Sequence, residues 1–209
     1  VLASRASSPH QFEEVMSKAK KAARREFNEA CLARDGRACV ACGRSVALNV
    51  HHITDRREMP NGGYVPENGI TLCEWCHKKA ERFHASGGSD FVEGFHPRGL
   101  YGRIGSSFQK AYAASSRLGG CDGRVMLCGL GGFGQSSHEP GPENYPLLLG
   151  RGGVVLEDHP PSDELRDRVL VKFDDDLARL GLACHNHVPN ALWILPSDLA
   201  FPQLAFYKK

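Results

Sequence analysis

Two C-x-x-C pairs, Cys39/Cys42 and Cys73/Cys76, stand 30 residues apart and constrain this chain more than any other feature. Two thiolates at that spacing close half a tetrahedron around a zinc ion, and a second pair completes it. Cys31, Cys121, Cys128 and Cys184 share no such pattern. Paired knuckles in a reducing compartment read as a zinc staple rather than a disulfide scaffold, so an intracellular, cytoplasmic setting is expected. Four thiolates leave no coordination position for water, which makes such a site structural.

The segment between and beside the knuckles predicts a small α+β unit. Residues 46–53 read as a short strand, and a Gly-, Pro- and Asn-rich loop follows. A second short strand falls near 69–72 and a helix over 74–84, which together make a ββα arrangement with a long inter-strand loop. About 50 residues bury too little apolar surface to be secure alone, so a metal staple suits them.

The flanks read as helices. Over 10–35, Phe12, Val15, Met16, Ala19, Ala23, Phe27, Ala30 and Cys31 recur at helical spacing, and Gly36 is a plausible stop. The opposite face carries Lys18, Lys20, Lys21, Arg24 and Arg25, either a solvated face or a phosphate-contacting one. SGGSD at 86–90 reads as a hinge or surface loop. A second, mostly helical stretch is expected from Pro97 to Gly119-Gly120, with Arg98, Arg103, Lys110 and Arg117 outward. It serves as a basic arm or simply packs on the ββα unit.

Charge divides unevenly along the chain. Residues 1–120 hold 18 Lys and Arg against 12 Asp and Glu, whereas residues 121–209 hold 8 against 12. The front half is therefore the one suited to a polyanion. No apolar run approaches the ~18–20 residues of a membrane span. The opening VLASRASSPHQF has neither an initiator Met nor an apolar signal core, and reads as a trimmed or processed start.

Within the ββα segment stand V-H-H-I (50–53), E-N-G-I-T-L-C (67–73) and E-W-C-H (74–77). With C-V-A-C (39–42), their order and spacing resemble the HNH endonuclease superfamily, in the branch with two C-x-x-C pairs. The resemblance covers about a fifth of the chain. It implies a ββα-metal fold with flanking basic helices and a metal-dependent hydrolysis of phosphodiester bonds, leaving a 5′-phosphate and a 3′-hydroxyl.

The roles the resemblance implies fall on four residues. His52 stands as general base, since neutral imidazole accepts a proton from water near pH 7. His51 and His77 stand as ligands of a catalytic divalent ion (Mg²⁺, Mn²⁺ or Zn²⁺), and Asn68 as the residue that pins the loop and positions the base. Where some members place a further histidine ligand, this chain has Glu81, and direct, water-mediated or no ligation stays open. His84, two turns beyond His77, reads as surface or second in line to the ligands. Neighbours in a strand face opposite sides, so His51 and His52 share one site only at a strand end or a twist.

Arg56, Arg57, Lys78, Lys79 and Arg82 are candidate nucleic-acid contacts, with a solvated surface as the alternative. DNA is the implied partner, ahead of RNA, in a bacterial or phage-type context. Two other readings stand beside the nuclease: a zinc module that docks without cutting, and a toxin or defence protein whose back half serves interaction.

Residues 121–209 resemble no family. RVMLCGLGGF reads as a strand, residues 134–146 as a turn-rich loop, and residues 147–161 as strands. A helix opened by Ser162 is expected over 162–181, then a closing strand, giving a small unassigned α+β region behind a division at 119–122. Cys184, His185 and His187 read as loop rather than metal ligands, Asp174, Asp175 and Asp176 as a helix start or turn, and GRGGVV carries no phosphate-loop pattern.

Overall fold

The structure is a computed structural model that describes residues 9–118, 122–131, 144–182 and 186–201. The expected α+β class holds, with four helices and two antiparallel sheets among those residues. None of these helices is long and apolar enough to cross a membrane.

Helix α1 runs Pro9–Arg34 and ends where Gly36 takes the left-handed conformation at φ 64°. Its buried stripe includes Phe27 and Cys31, which lie against the strands β1 (Leu48–His52) and β2 (Gly69–Cys73). The approach is so close that a Cβ on Gly69 would overlap both the Cys31 sulfur and the Phe27 ring. Glycine is therefore required there for packing and not for its φ.

Two charged residues at the end of α1 fix the edge of β2. The Asp35 carboxylate accepts from Thr71 N at 2.8 Å, while Arg34 holds that carboxylate and donates to the carbonyls of Pro66 and Gly69. Burial alone would raise the Asp35 pKa, but the hydrogen bonds from Arg34 and Thr71 outweigh it and hold the group below its ordinary range. Val40 N bonds to Thr71 O on the same edge, so the outer side of β2 is closed by the first knuckle.

Strands β1 and β2 pair in a register that sets His51 opposite Ile70 and His52 opposite Gly69. Helix α2, Glu74–Ala85, follows β2 without a break and buries Cys76 and Ala80 against the pair. The expected ββα order is thus present. Between the strands, Asn61, Gly62 and Gly63 have φ of 50°, 78° and 67°. The Asn61 amide bonds to Ser115 O, which ties this loop to the helix described next.

The mostly helical stretch expected after Pro97 is made of two helices, α3 (Pro97–Arg103) and α4 (Phe108–Ser116). Gly105 at φ 66° breaks the run, and the Ser107 hydroxyl restarts it by accepting from Lys110 N at 3.2 Å. Ala111, Ala113, Ser115 and Ser116 are buried, because α4 is covered by the inter-strand loop on one side and by a second sheet on the other.

That second sheet has the order β6-β5-β4-β3-β7, every pair antiparallel. Its strands are β3 (Arg124–Leu127), β4 (Gly152–Leu156), β5 (Val169–Phe173), β6 (Ala191–Ile194) and β7 (Leu199–Ala200). The expected helix over 162–181 is corrected here to a strand between two 3-10 turns, Asp163–Leu165 and Leu177–Leu180. Val169, Val171 and Phe173 alternate onto one face and Leu170 onto the other, and both faces are covered. Burial on two sides is what a five-residue strand offers this segment and an amphipathic helix would not. One apolar cluster runs from Cys39, Cys73 and Cys76 through Leu100, Tyr101 and Tyr112 to Val155, Val171 and Ile194. The division expected at 119–122, the stop at Gly119-Gly120, most of the loop over 134–146, and Cys121, Cys184 and His185 fall on or into residues outside those described.

Candidate metal centres and their surroundings

The first knuckle is shaped by its own backbone. Cys39 O accepts from Gly43 N at 2.8 Å and from Cys42 N at 3.3 Å, with Gly43 at φ 77°. Cys73 ends β2 and Cys76 lies in the first turn of α2, so the strand-to-helix junction supplies the second pair. The four sulfurs lie within 4.8 Å of one another, and Cys42 Sγ is 3.6 Å from Cys73 Sγ. A zinc ion with bonds of about 2.3 Å sets its sulfurs roughly 3.8 Å apart, so the cluster fits a structural zinc. All four thiols are free.

A second donor set is built on β1 and α2. His51 projects from β1 toward α2, where His77 and Glu81 stand one turn apart on the same face. Ligand atoms of these three residues lie within 4.8 Å of one another, and His51 Nδ1 is 3.4 Å from Glu81 Oε2. His51 is only 3% exposed, and burial, reinforced by His84, His77 and His52, pushes its pKa down to about 3. Its ring is therefore neutral at ordinary pH, with a lone pair available. Two imidazoles and one carboxylate on one side of a point suit a divalent ion with open positions. Glu81, left open from the sequence, belongs to this group; His84 does not. His84 packs its ring 5.1 Å from that of His51 and places Nε2 2.9 Å from the His52 carbonyl, tying the end of β1 to α2.

His52 lies on the other side of β1, as strand alternation requires. Its ring stacks on Phe27 at 4.6 Å and meets the edge of Tyr64 at 5.0 Å. Burial first, then the nearby Arg56, lowers its pKa to about 4, so this ring too is neutral. Its Nε2 is buried without a hydrogen-bond partner. Of the five basic candidates, Arg56 acts on this side, and Arg57 is exposed with its backbone N bonded to Asp55. Lys78 pairs with Glu74, Arg82 with Asp90, and Lys79 lies over the Phe95 ring, all on the exposed surface.

Asn68 is fully buried at the loop's return. Its side-chain oxygen accepts from Thr54 N at 2.9 Å and from the Tyr101 hydroxyl at 2.8 Å. Its amide donates to the carbonyls of Thr54 at 3.1 Å and Gly63 at 3.3 Å, and its backbone carbonyl accepts from Ile53 N. The side chain thus clamps the residues directly after His52. Tyr101, which closes the network from α3, carries no motif and is not among the sequence candidates; nor is Tyr64. Replacing Asn68 by Ala strands several buried partners at once and is expected to cost about 2–4 kcal/mol. Urea unfolding measures this, and a destabilisation below about 0.5 kcal/mol, the level of an ordinary surface change, would contradict it.

Comparison with protein families matches residues 39–83 to the family model described as HNH endonuclease. The match spans both knuckles, both strands, the loop and most of α2, so this segment is an HNH domain. It excludes α1, with Phe27, and α3, with Tyr101. Comparison with curated proteins gave no match, and neither did comparison with solved structures.

Proposed function

We propose that this chain is a metal-dependent endonuclease that hydrolyses phosphodiester bonds in DNA. The observation that carries the reading is the convergence of His51, His77 and Glu81 beside a strand end clamped by Asn68. These three residues would hold a divalent ion, which when bound would supply charge neutralisation to the phosphate being cleaved. His52 accepts a proton from the attacking water as the new P–O bond forms. The bond from phosphorus to the 3′ oxygen breaks, and that oxygen takes a proton from solvent, leaving a 3′-hydroxyl and a 5′-phosphate. Asn68 keeps the chain at 53–54 fixed, which holds both histidines in place at the end of β1, where residues that face opposite ways can still serve one phosphate. Arg56 and Arg57, with Lys78, Lys79 and Arg82 on α2, supply positive charge along the strand. Cys39, Cys42, Cys73 and Cys76 hold zinc and take no part in the chemistry. A binding module stapled by zinc needs those four thiolates but no second donor set of two imidazoles and a carboxylate, which favours the enzyme.

Supercoiled plasmid incubated with the protein and Mg²⁺, Mn²⁺ or Zn²⁺ tests the proposal. Nicked or linear product is expected with at least one ion, and His77→Ala is expected to need more of that ion to reach the same rate. Intact plasmid under every ion overturns it.

A further inference from the structure

Two arginines from different parts of the chain converge on one oxygen beside His52. Arg24 Nε, from α1, lies 3.1 Å from the Tyr64 hydroxyl oxygen, and Arg56 Nη1, from the loop after β1, lies 3.0 Å from the same atom. The Arg24 guanidinium also sits 5.6 Å from the centroid of the Tyr64 ring. Among the described residues neither guanidinium is within ion-pair distance of a carboxylate. Asp55 and Glu81 act on Arg56 only at longer range, and an Asp55 oxygen is already engaged by Arg57 N.

Such an arrangement has an electrostatic cost that a phenol does not offset. Guanidinium stays charged at any ordinary pH, and two of them repel when gathered on one hydroxyl oxygen. An oxyanion between them removes that repulsion and uses the donor forks that remain. Both side chains are exposed, so they are open to a ligand from solution. Tyr64 itself is buried and packs edge-on against Phe27 and His52, which fixes the point where the arginines meet.

We infer that Arg24 and Arg56 form a two-pronged clamp for a nucleic-acid phosphate, with the Tyr64 hydroxyl as the post that holds them apart from other partners until substrate arrives. The inference rests on the nuclease reading and extends it. It brings α1, which lies outside the HNH match, into the substrate site. Phe27, one turn along from Arg24, forms the wall of the His52 slot, so one face of α1 both packs the site and grips the strand.

The test is binding of a labelled DNA duplex to the full, zinc-loaded chain without added catalytic ion, read by fluorescence anisotropy over a range of salt. Removing one protein–phosphate interaction makes the slope of log K against log salt shallower by about 0.9. Arg24→Gln and Arg56→Gln are each expected to show that change, and the double variant about twice it, with equal weakening across unrelated sequences. Arg24→Lys is expected to recover the slope while binding more weakly than the parent. Melting temperature and zinc content are expected to stay at parental values, which separates a weakened grip on DNA from a damaged fold. Inorganic phosphate alone is expected to compete only weakly; full displacement of the duplex by it at low millimolar concentration overturns the assignment to a strand. Unchanged slopes in both single variants, or a parent that does not bind duplex, overturn the clamp. Plasmid cleavage that persists alongside unchanged slopes removes the clamp and leaves the nuclease standing.

Discussion

Stripping the ion from the four-cysteine cluster, or replacing Cys76 with serine, is expected to unfold residues 39–83. The unit has two five-residue strands, one twelve-residue helix and a long irregular loop, so its regular hydrogen bonding is sparse. Its buried apolar residues are few, and Cys39, Cys73 and Cys76 are themselves among them. Without a bound ion, those buried sulfurs face each other with nothing to hold them. Structural zinc in small domains contributes on the order of 10–16 kcal/mol, as much as the whole stability of a typical domain. Metal analysis is expected to return one tightly held zinc per chain in addition to any ion that dialysis removes. Hydrogen exchange in the zinc-free chain is expected to show reduced protection over β1, β2 and α2. A chain that binds no stoichiometric zinc, or that keeps its protection and melting temperature after the ion is stripped, would falsify the staple.

Those cysteines also explain why the front of the chain is legible. Ligand spacing is a local constraint: C-x-x-C forces a knuckle wherever it sits, and a knuckle at a strand end fixes the start of a helix. From Cys73 and Cys76 the boundaries of β2 and α2 follow within a residue, and with them His77 and Glu81 on one helical face. Strand alternation likewise requires that His51 and His52 part, and they do so across β1.

What the sequence does not display are partners supplied from a distance. Tyr101 reaches Asn68 across 33 positions and Tyr64 meets Arg24 across 40, and neither tyrosine stands in any spacing pattern. The back half misleads for another reason. In SDELRDRVLVKFDDDLARLG, acidic and basic residues punctuate the apolar ones at intervals that mimic a helix face. The β-branched alternation of Val169 and Val171 is the competing signal, and burial on both faces of the sheet decides it. Gly105 breaks the α3–α4 run through a left-handed φ that periodicity alone does not reveal.

Replacing His52 with phenylalanine is expected to slow cleavage by about 10²–10⁴-fold while leaving the fold intact. The slot between Phe27 and Tyr64 accepts a flat ring, so the substituted phenyl group keeps the stack that an alanine would empty. What disappears are the two ring nitrogens, of which the buried Nε2 has no hydrogen-bond partner to leave stranded. A purely structural role thus predicts little change, whereas a general base predicts a fall in kcat of about 10²–10⁴-fold. His51→Ala and His77→Ala act differently, because they remove donors from the ion and are expected to raise the metal concentration needed for half-maximal rate. His52→Phe is expected to leave that concentration and KM near the parental values. The two effects separate in one experiment, a metal titration of initial nicking rate for the parent and the three variants. If His52→Phe nicks as fast as the parent, the proton leaves water by another route and the aromatic slot is only packing. If it shifts the metal midpoint as His51→Ala does, the two histidines are not divided by β1 in the way their opposite facing implies.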